Sequence, residues 1–140
     1  MASEAGWRVF VATNQSGVAR GFFTEDDVRA LHRWMTQALR QSGGIVDDVR
    51  YCPFHPDGTV ARYRRESDWR KPAPGMILDL LRAWEVDPAA CALIGDQPSD
   101  LQAAAAAGVA GQLYAGGDLP GLVRGILVGQ HGAMGERHGG

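Results

Sequence analysis

Four side chains of this sequence have the chemistry of a site for a phosphate group. Thr13, at the end of an apolar run, offers a hydroxyl, and Lys71, directly after Arg70, offers an ammonium cation. Asp96 and Asp100 offer hard carboxylate oxygens, which are the ligands that Mg²⁺ prefers. Phosphoryl chemistry needs donors and a cation around the phosphate oxygens, together with a metal ion that offsets their charge. The set therefore predicts a magnesium-assisted phosphate site.

Neighbouring residues extend this set. Asn14, Gln15 and Ser16 follow the threonine in a turn whose backbone amides can surround an anion. Arg70 is interpreted either as a substrate-binding side chain or as one half of a surface ion pair. Asp100 is interpreted either as a metal ligand or as a helix cap or surface residue. The sequence pattern leaves both alternatives open.

The apolar pattern predicts the elements that position these residues. Short apolar runs predict strands, and amphipathic spacing predicts helices. Strands are expected over residues 7–13, 46–52, 91–95 and 109–114. Helices are expected from about 25, after an N-cap at Thr24, to 42, from about 75, over 99–107 and over 119–128. The alternation implies an α/β, three-layer, Rossmann-like domain with a mostly parallel sheet.

The predicted domain covers residues 1–128, and a glycine-rich tail over 129–140 is expected to be disordered. Ligands of such sheets bind beyond the carboxyl ends of the strands, where Thr13 and Asp96 lie. Residues 53–74 form a long polar excursion between elements, which is typical of a functional loop. The helical spacing of Trp34 and Trp84 predicts that both belong to the core.

Composition excludes several classes of partner. A net charge of −2 gives no basic surface for nucleic acid, and no apolar run reaches the roughly 20 residues of a membrane span. The N-terminus does not have the pattern of a signal peptide. Because the chain has only two cysteines, we expect no disulfide framework and a cytoplasmic location. A small phosphorylated metabolite is therefore the expected partner.

Three segments resemble, in the usual order, motifs of the haloacid-dehalogenase (HAD) superfamily of phosphatases. Val-Phe-Val-Ala-Thr13 resembles motif II, Arg70-Lys71-Pro72 resembles motif III, and residues 94–100 resemble motif IV. The resemblance, which covers about residues 7–128, implies that Thr13 and Lys71 act catalytically on the phosphoryl group. It also implies that residues 14–16 and Arg70 bind substrate and that Asp96 and Asp100 hold Mg²⁺.

Two further stretches point to a narrower branch. Residues 13–21, beginning Thr-Asn-Gln-Ser-Gly, and residues 51–58, beginning Tyr-Cys-Pro-Phe-His, resemble the heptose 1,7-bisphosphate 7-phosphatases and the related histidinol-phosphate phosphatases. The implied activity is hydrolysis of a small sugar-phosphate monoester through an aspartyl-phosphate, with heptose bisphosphate as the first expectation and histidinol phosphate as the alternative. The full-length form is expected to be a monomer.

The first departure from this family pattern concerns the nucleophile. The family carries it in an Asp-x-Asp motif, which these 140 residues lack, and only six residues precede the first predicted strand. Loss of a nucleophile can cost on the order of 10⁶-fold in kcat, so this chain is expected to be a very poor phosphatase. We favour a shortened chain or a start codon placed too late, with a natural binding remnant as the alternative.

The second departure concerns zinc. The heptose enzymes typically hold zinc with a Cys-x-His and Cys-x-Cys loop, where this chain has Cys52 but Phe54, Ser67 and Trp69 at the matching positions. One thiolate cannot make a four-ligand site, so no zinc is expected, and packing of Tyr63 and Trp69 is expected to hold the loop.

Two other classes of function remain to be weighed. A non-catalytic domain that binds phosphate or a sugar phosphate needs no nucleophile. A receiver-like or other doubly wound interaction module is disfavoured, because it has no use for Lys71 before a helix together with the Thr-Asn-Gln-Ser-Gly stretch that begins at Thr13.

Overall fold

The computed structural model describes residues 7–118, within which strands and helices alternate as the sequence predicts. The strands are β1 (Phe10–Asn14), β2 (Asp48–Cys52), β3 (Ala92–Gly95) and β4 (Ala110–Leu113). The helices are α1 (Glu25–Gln41), α2 (Gly75–Ala83) and α3 (Pro98–Ala106), with 3₁₀ turns at Ala61–Tyr63 and Pro88–Ala90. The helix expected over 119–128 and the tail over 129–140 lie outside the described residues.

Helix α1 begins where its capping residues predict. The hydroxyl of Thr24 accepts from the backbone N–H of Asp27 at 3.1 Å, and the carboxylate of Asp27 accepts from the backbone N–H of Thr24 at 2.9 Å. This reciprocal pair satisfies two of the backbone donors left open by the first turn. The helix ends before Gly43, whose φ of 90° suits a residue without a side chain.

The prediction that Trp34 belongs to the core is wrong, since its side chain is 67% exposed. Helix α1 packs on the face that carries Val28, which is 2% exposed. Trp34 follows six residues later, about 120° away around a helix with about 3.6 residues per turn. Trp84, by contrast, is half-buried: its ring lies 5.3 Å from that of Phe10, and its indole nitrogen donates to Asp48 at 2.8 Å.

The strands form two separate parallel pairs. Strand β1 pairs with β2, with Thr13 beside Tyr51, and β3 pairs with β4, with Gly95 beside Leu113. The sequence predicted one continuous sheet, but among residues 7–118 no strand connects β1 to β3. A cavity of about 600 Å³ lies between these two strands, and both line it. The two halves of the predicted sheet are thus present, with an open space between them.

Helix α2 packs against strands β1 and β2, and its Ile77 shares a buried cluster with residues of α3. Its residues Met76, Ile77 and Leu80 are buried. Around Ile77 lies one apolar cluster whose other buried members are small or β-branched: Ala103, Ala104, Ala107 and Val109. A second cluster consists of Val18, Ala19, Val28 and Tyr63. Small residues in α3 allow it to lie close to β4, where a Cβ on Gly111 would come within 3.0 Å of Leu101.

Across residues 7–118, the helices are too short or too polar to span a membrane.

Candidate active site

Lys71 lies at the centre of the site and is the only lysine in the chain. Its ammonium group donates to the carbonyl oxygen of Ala12 in β1 at 3.1 Å and to the carboxylate of Asp100 in α3. The side chains of Lys71 and Asp100 are 13% and 9% exposed. Lys71 therefore reaches across from the first strand pair to the helix that follows β3, in a largely desolvated position.

Asn14 fixes the backbone of Lys71. Its side-chain Oδ1 accepts from the N–H of Lys71 at 3.0 Å, and its Nδ2 donates to the carbonyl of Lys71 at 3.2 Å. Both ends of the amide are therefore used to hold the lysine at the carboxyl end of β1. The predicted contact between Asn14 and a substrate stays a prediction.

The turn before α2 presents Lys71 in a folded loop. The backbone N–H of Gly75 donates to the carbonyl of Asp68 at 2.7 Å, and that of Arg70 donates to the carbonyl of Ser67 at 3.1 Å. A Cβ at Gly75 would lie 2.4 Å from the same carbonyl of Asp68. Glycine is therefore required where the turn closes. The Nε of Arg70 is buried and has no hydrogen-bond partner within residues 7–118.

Asp100 has two structural roles in addition to its predicted role as a metal ligand. One carboxylate oxygen faces Lys71, and the other accepts from the backbone N–H of Gln97 at 3.1 Å, which caps α3. A Cβ at Gly95 would lie 2.3 Å from the Cβ of Asp100. The last residue of β3 must therefore be glycine for Asp100 to reach this position.

The remaining predicted residues lie at the carboxyl ends of the strands. The hydroxyl of Thr13, in β1, donates to the carbonyl of Asn14 at 3.3 Å, and Gln15 Nε2 lies 3.5 Å from the same hydroxyl. The backbone N–H of Gln15 donates to the carbonyl of Cys52 at 2.8 Å, and the carbonyl of Ser16 accepts from Arg20 at 3.0 Å.

Asp96 is exposed and directly follows β3. Direct contacts unite Lys71, Asn14 and Asp100. Thr13 and Asp96 adjoin this group through their neighbours Asn14 and Gly95. Within the described part of the chain, no three His, Cys, Asp or Glu side chains are grouped closely enough to hold a metal ion by themselves.

The excursion loop is attached to α1 through Glu25, which the sequence analysis did not predict as a functional residue. The carboxylate of Glu25 accepts from Tyr63 at 2.6 Å and from Tyr51 at 2.7 Å. These two hydrogen bonds lower the pKa of Glu25, and the hydrogen bond to Glu25 raises the pKa of Tyr63. Tyr63 is 8% exposed and packs on Phe54, so the expected role of Tyr63 in holding the loop is confirmed.

Cys52, at the end of β2, and His55, the histidine of this loop, are both buried. The Nδ1 of His55 accepts from the backbone N–H of Asp57 at 3.0 Å, and the thiol of Cys52 lies 4.0 Å from the carbonyl of Phe54. These contacts make His55 part of the packing of the loop.

The sequence of this chain is similar to those of known hydrolases. A family model described as HAD-hydrolase-like matches residues 68–120, which contain Lys71, Asp96 and Asp100. The D-glycero-beta-D-manno-heptose-1,7-bisphosphate 7-phosphatase of Rhodopseudomonas palustris is 53% identical over 124 residues, which cover 89% of this chain and 69% of that protein. The enzyme of the same name from Yersinia pestis is 42% identical over 106 residues, which cover 76% of this chain and 56% of that protein.

Solved structures show the same similarity. The D,D-heptose 1,7-bisphosphate phosphatase from B. bronchiseptica, complexed with magnesium and phosphate, has a TM-score of 0.71 and 45% identity, and the match covers 80% of this chain and 59% of that one. A HAD-like phosphatase from Mesorhizobium loti has a TM-score of 0.77 and 36% identity, covering 83% and 56%. The chain thus spans between about half and about two thirds of the length of the proteins it matches.

Gly95→Ala is expected to destabilise the protein by about 1–3 kcal/mol, because the new methyl group overlaps the side chain of Asp100 and forces it away from Lys71. Denaturant unfolding measures the change. Gly44→Ala is the matched control, since its Cβ would meet its nearest neighbour, a Leu39 atom, at an ordinary 3.4 Å. Equal stability of the two variants would contradict the packing described for Asp100.

Glu25→Gln is expected to lower the free energy of unfolding at neutral pH by about 1–2 kcal/mol, because a charged acceptor for two tyrosines becomes a neutral amide. The pKa of Glu25 is lowered by folding, so its contribution is present above the unfolded value of about 4.3 and is lost as the pH falls through the folded value. The stability difference between wild type and variant should therefore shrink in acid.

Glu66→Gln, on the exposed part of the loop, is the control for the change of charge. If the difference in the free energy of unfolding between wild type and Glu25→Gln stays constant from pH 7 to pH 3, the charge of the Glu25 carboxylate does not contribute to stability.

Proposed function

The chain belongs to the heptose-1,7-bisphosphate 7-phosphatase family of HAD-like hydrolases, and from this premise we propose that it forms the phosphate-holding part of a sugar-phosphate phosphatase. The observation that carries the proposal is the position of Lys71, a largely buried ammonium group at the carboxyl ends of β1 and β3. Heptose 1,7-bisphosphate is the proposed substrate, since the relatives named above are enzymes of that name.

Donors around this lysine suit a phosphate anion. The ammonium group has three N–H donors, of which Ala12 and Asp100 accept two. The buried Nε of Arg70, on the preceding residue, has no partner among residues 7–118. A buried donor left without an acceptor costs about 1–3 kcal/mol, and an oxygen of a bound phosphate would remove that cost. Lys71, Arg70 and the hydroxyl of Thr13 are therefore proposed to bind the phosphate oxygens.

Mg²⁺ is the proposed cofactor, and the carboxylates at this end of the sheet fit it. The ion is usually bound through one or two protein carboxylates, with water and phosphate oxygens completing its coordination. Asp96 is exposed beside the site and is proposed as a ligand. Asp100 already accepts one bond on each oxygen, but a carboxylate has about four acceptor sites, so it can serve as a second ligand. Bound Mg²⁺ would offset the negative charge of the phosphate.

The residues of this chain then have distinct tasks. Lys71 stabilises the charge on the phosphoryl oxygens, and Asn14 and Asp100 keep the ammonium group in place. Preorganised charge of this kind is effective because it costs no reorganisation during the reaction. The nucleophilic carboxylate is a separate requirement, because the 140 residues contain no Asp-x-Asp motif. We therefore propose that this chain alone binds phosphate without efficient turnover.

The biological setting follows from the same proposal. A small phosphorylated metabolite is the proposed partner, and the cytoplasm is the proposed compartment. The support for this setting is the sugar-phosphate substrate in the names of the relatives and the low cysteine content of the chain.

Calorimetry with inorganic phosphate in the presence of Mg²⁺ tests the binding role. The chain should bind phosphate, and Lys71→Met should weaken binding by roughly 10- to 100-fold, because a charge-assisted hydrogen bond contributes about 1.5–3 kcal/mol. Arg82→Met, which removes an exposed cation from α2, should leave the affinity unchanged. An absence of phosphate binding, or equal affinities for the two variants, would sink the proposed function.

Turnover is tested separately with heptose 1,7-bisphosphate and with p-nitrophenyl phosphate. Release of phosphate by this chain should be slower than that of a nucleophile-containing relative by on the order of 10⁶-fold, the effect of losing a nucleophile. Rapid hydrolysis by the 140-residue chain would show that another residue is the nucleophile.

A further inference from the structure

Glu25, the first residue of α1, joins three elements through one carboxylate. Its Oε1 accepts from the hydroxyl of Tyr51 in β2 at 2.7 Å, and its Oε2 accepts from the hydroxyl of Tyr63 in the excursion loop at 2.6 Å. Arg29, one turn later in α1, also donates to the hydroxyl of Tyr51 at 3.1 Å. Glu25, Tyr51 and Tyr63 are called the Glu25 clamp below, because together they tie the helix, the strand and the loop to one another.

The Tyr51 side of the clamp lies next to the end of β1. Tyr51 is the register partner of Thr13, and the backbone N–H of Gln15 donates to the carbonyl of Cys52 at 2.8 Å. The hydrogen bond between Glu25 and Tyr51 therefore holds β2 against α1 at the level where β1 leaves the sheet.

The Tyr63 side of the clamp closes the excursion loop onto the turn that follows β1. The carbonyl of Tyr63 accepts from the N–H of His55 at 3.1 Å, and the N–H of Val60 donates to the carbonyl of Ala19 at 2.9 Å. The side chain of Tyr63 is buried in the same apolar cluster as Val18 and Ala19. Movement of Tyr63 would therefore open the loop and separate it from the turn.

Both chain segments that hold Lys71 start from this contact between loop and turn. The turn directly follows Asn14, whose side chain makes two hydrogen bonds to the backbone of Lys71. On the other side, Tyr63 precedes Lys71 by eight residues in the excursion loop. Lys71 is therefore connected to Glu25 by two routes, one through the turn and one through the loop.

Arginine side chains add weaker attachments to the same loop. The guanidinium group of Arg62 lies 4.8 Å from the ring centre of Tyr63, and that of Arg65 lies 3.8 Å from the ring centre of Phe54. Both arginines are exposed, and an exposed cation–π contact contributes less than a hydrogen bond to a charged group. Of these attachments, the hydrogen bond from Tyr63 to Glu25 is therefore expected to be the strongest.

The groups that face Glu25 keep it ionised. They are the hydroxyls of Tyr63 and Tyr51, together with the guanidinium groups of Arg29 and Arg62. The hydrogen bond from Tyr63, followed by that from Tyr51, lowers the pKa of Glu25 below its ordinary value. At neutral pH, a charged carboxylate is therefore the acceptor for both hydroxyls.

We propose that Glu25 is a positioning residue of the phosphate site: through Tyr51 and Tyr63, its carboxylate makes the excursion loop and the Lys71 segment open and close as one unit. Phosphate then binds to the closed unit, in which the ammonium group of Lys71 is held in place. The binding of phosphate to the closed form rests on the proposed function. The joint opening of the loop and Lys71 does not.

Amide hydrogen exchange on the wild-type chain, with neither phosphate nor Mg²⁺ present, tests the joint opening. The probes are the backbone N–H groups of His55 and Val60 in the loop and of Lys71 in the site, each of which donates a hydrogen bond. One opening that breaks all three hydrogen bonds should give the three amides similar protection factors. Separate openings of the loop and the site should give different ones.

Two variants test whether Glu25 controls this opening. Glu25→Gln and Tyr63→Phe should each lower all three protection factors by roughly 10-fold or more, which corresponds to the loss of one hydrogen bond to a charged group. Glu66→Gln makes the same change of charge on the exposed part of the loop and should have no effect. Trp84→Phe loses the hydrogen bond to Asp48 at the opposite end of β2 and should also leave the three amides unchanged.

The pH dependence separates a charged positioning group from a merely structural one. In the wild type, the three protection factors should fall as the pH drops through the folded pKa of Glu25, because the contribution of the carboxylate is lost on protonation. This step should be absent from Glu25→Gln and retained in Glu66→Gln.

Inorganic phosphate with Mg²⁺ tests the connection to the proposed function. If opening and phosphate binding exclude one another, phosphate at 30 times its Kd should raise all three wild-type protection factors by about 30-fold. The amides of His55 and Val60 should then respond as strongly as that of Lys71.

Three results would each overturn the positioning role: different protection factors for the loop and Lys71, an unchanged Lys71 amide in Glu25→Gln, or an equal loss of protection in Trp84→Phe. Phosphate that protects Lys71 but neither His55 nor Val60 would also overturn it and leave the proposed function intact. Joint opening that depends on Glu25, without any binding of phosphate, would support the positioning of Lys71 and count against the proposed function.

Discussion

The ion pair between Lys71 and Asp100 is the interaction on which the site depends. Removing two charges from water costs free energy, and their attraction offsets this cost only if the ion pair is well aligned and both groups make further hydrogen bonds. The structure meets that condition on both sides. Lys71 also donates to the carbonyl of Ala12, and Asp100 also caps α3 through Gln97. The pair therefore connects the carboxyl end of β1 to the helix that follows β3, across a gap that no described strand fills.

Other features of the site follow from the need to place this pair. Both ends of the Asn14 side-chain amide form hydrogen bonds with the backbone of Lys71. The lack of a side chain at Gly95 leaves the space that the side chain of Asp100 occupies. The same arrangement leaves an ammonium group with one remaining donor at the rim of the sheet, where ligands of parallel α/β folds bind. Under the proposed function, one side chain meets both a requirement of folding and a requirement of phosphate binding.

Much of this organisation could be predicted from the sequence, because it depends on local signals. Apolar runs and capping residues gave the order of strands and helices, and the motif around Lys71 gave the cation. The partners of Lys71 were harder to predict, since Asn14 and Asp100 are 57 and 29 residues away and only the tertiary structure brings them together. Glu25 is a similar case: an acidic residue in the first turn of a helix is ordinary, and two distant tyrosines give it its role. Trp34 is a different case, because its helical spacing predicted a buried side chain that is in fact exposed. Spacing alone does not indicate which face of a helix packs against the rest of the domain.

A double-mutant cycle on Lys71→Met and Asp100→Asn, followed by chemical denaturation, tests the central claim most directly. Each single change should destabilise the protein by about 3–5 kcal/mol, because it leaves a charge or a polar group buried without its partner. The double variant should be more stable than the sum of the two effects predicts by about 1–3 kcal/mol. Effects that simply add would contradict the account, since they would show that the two side chains do not stabilise one another.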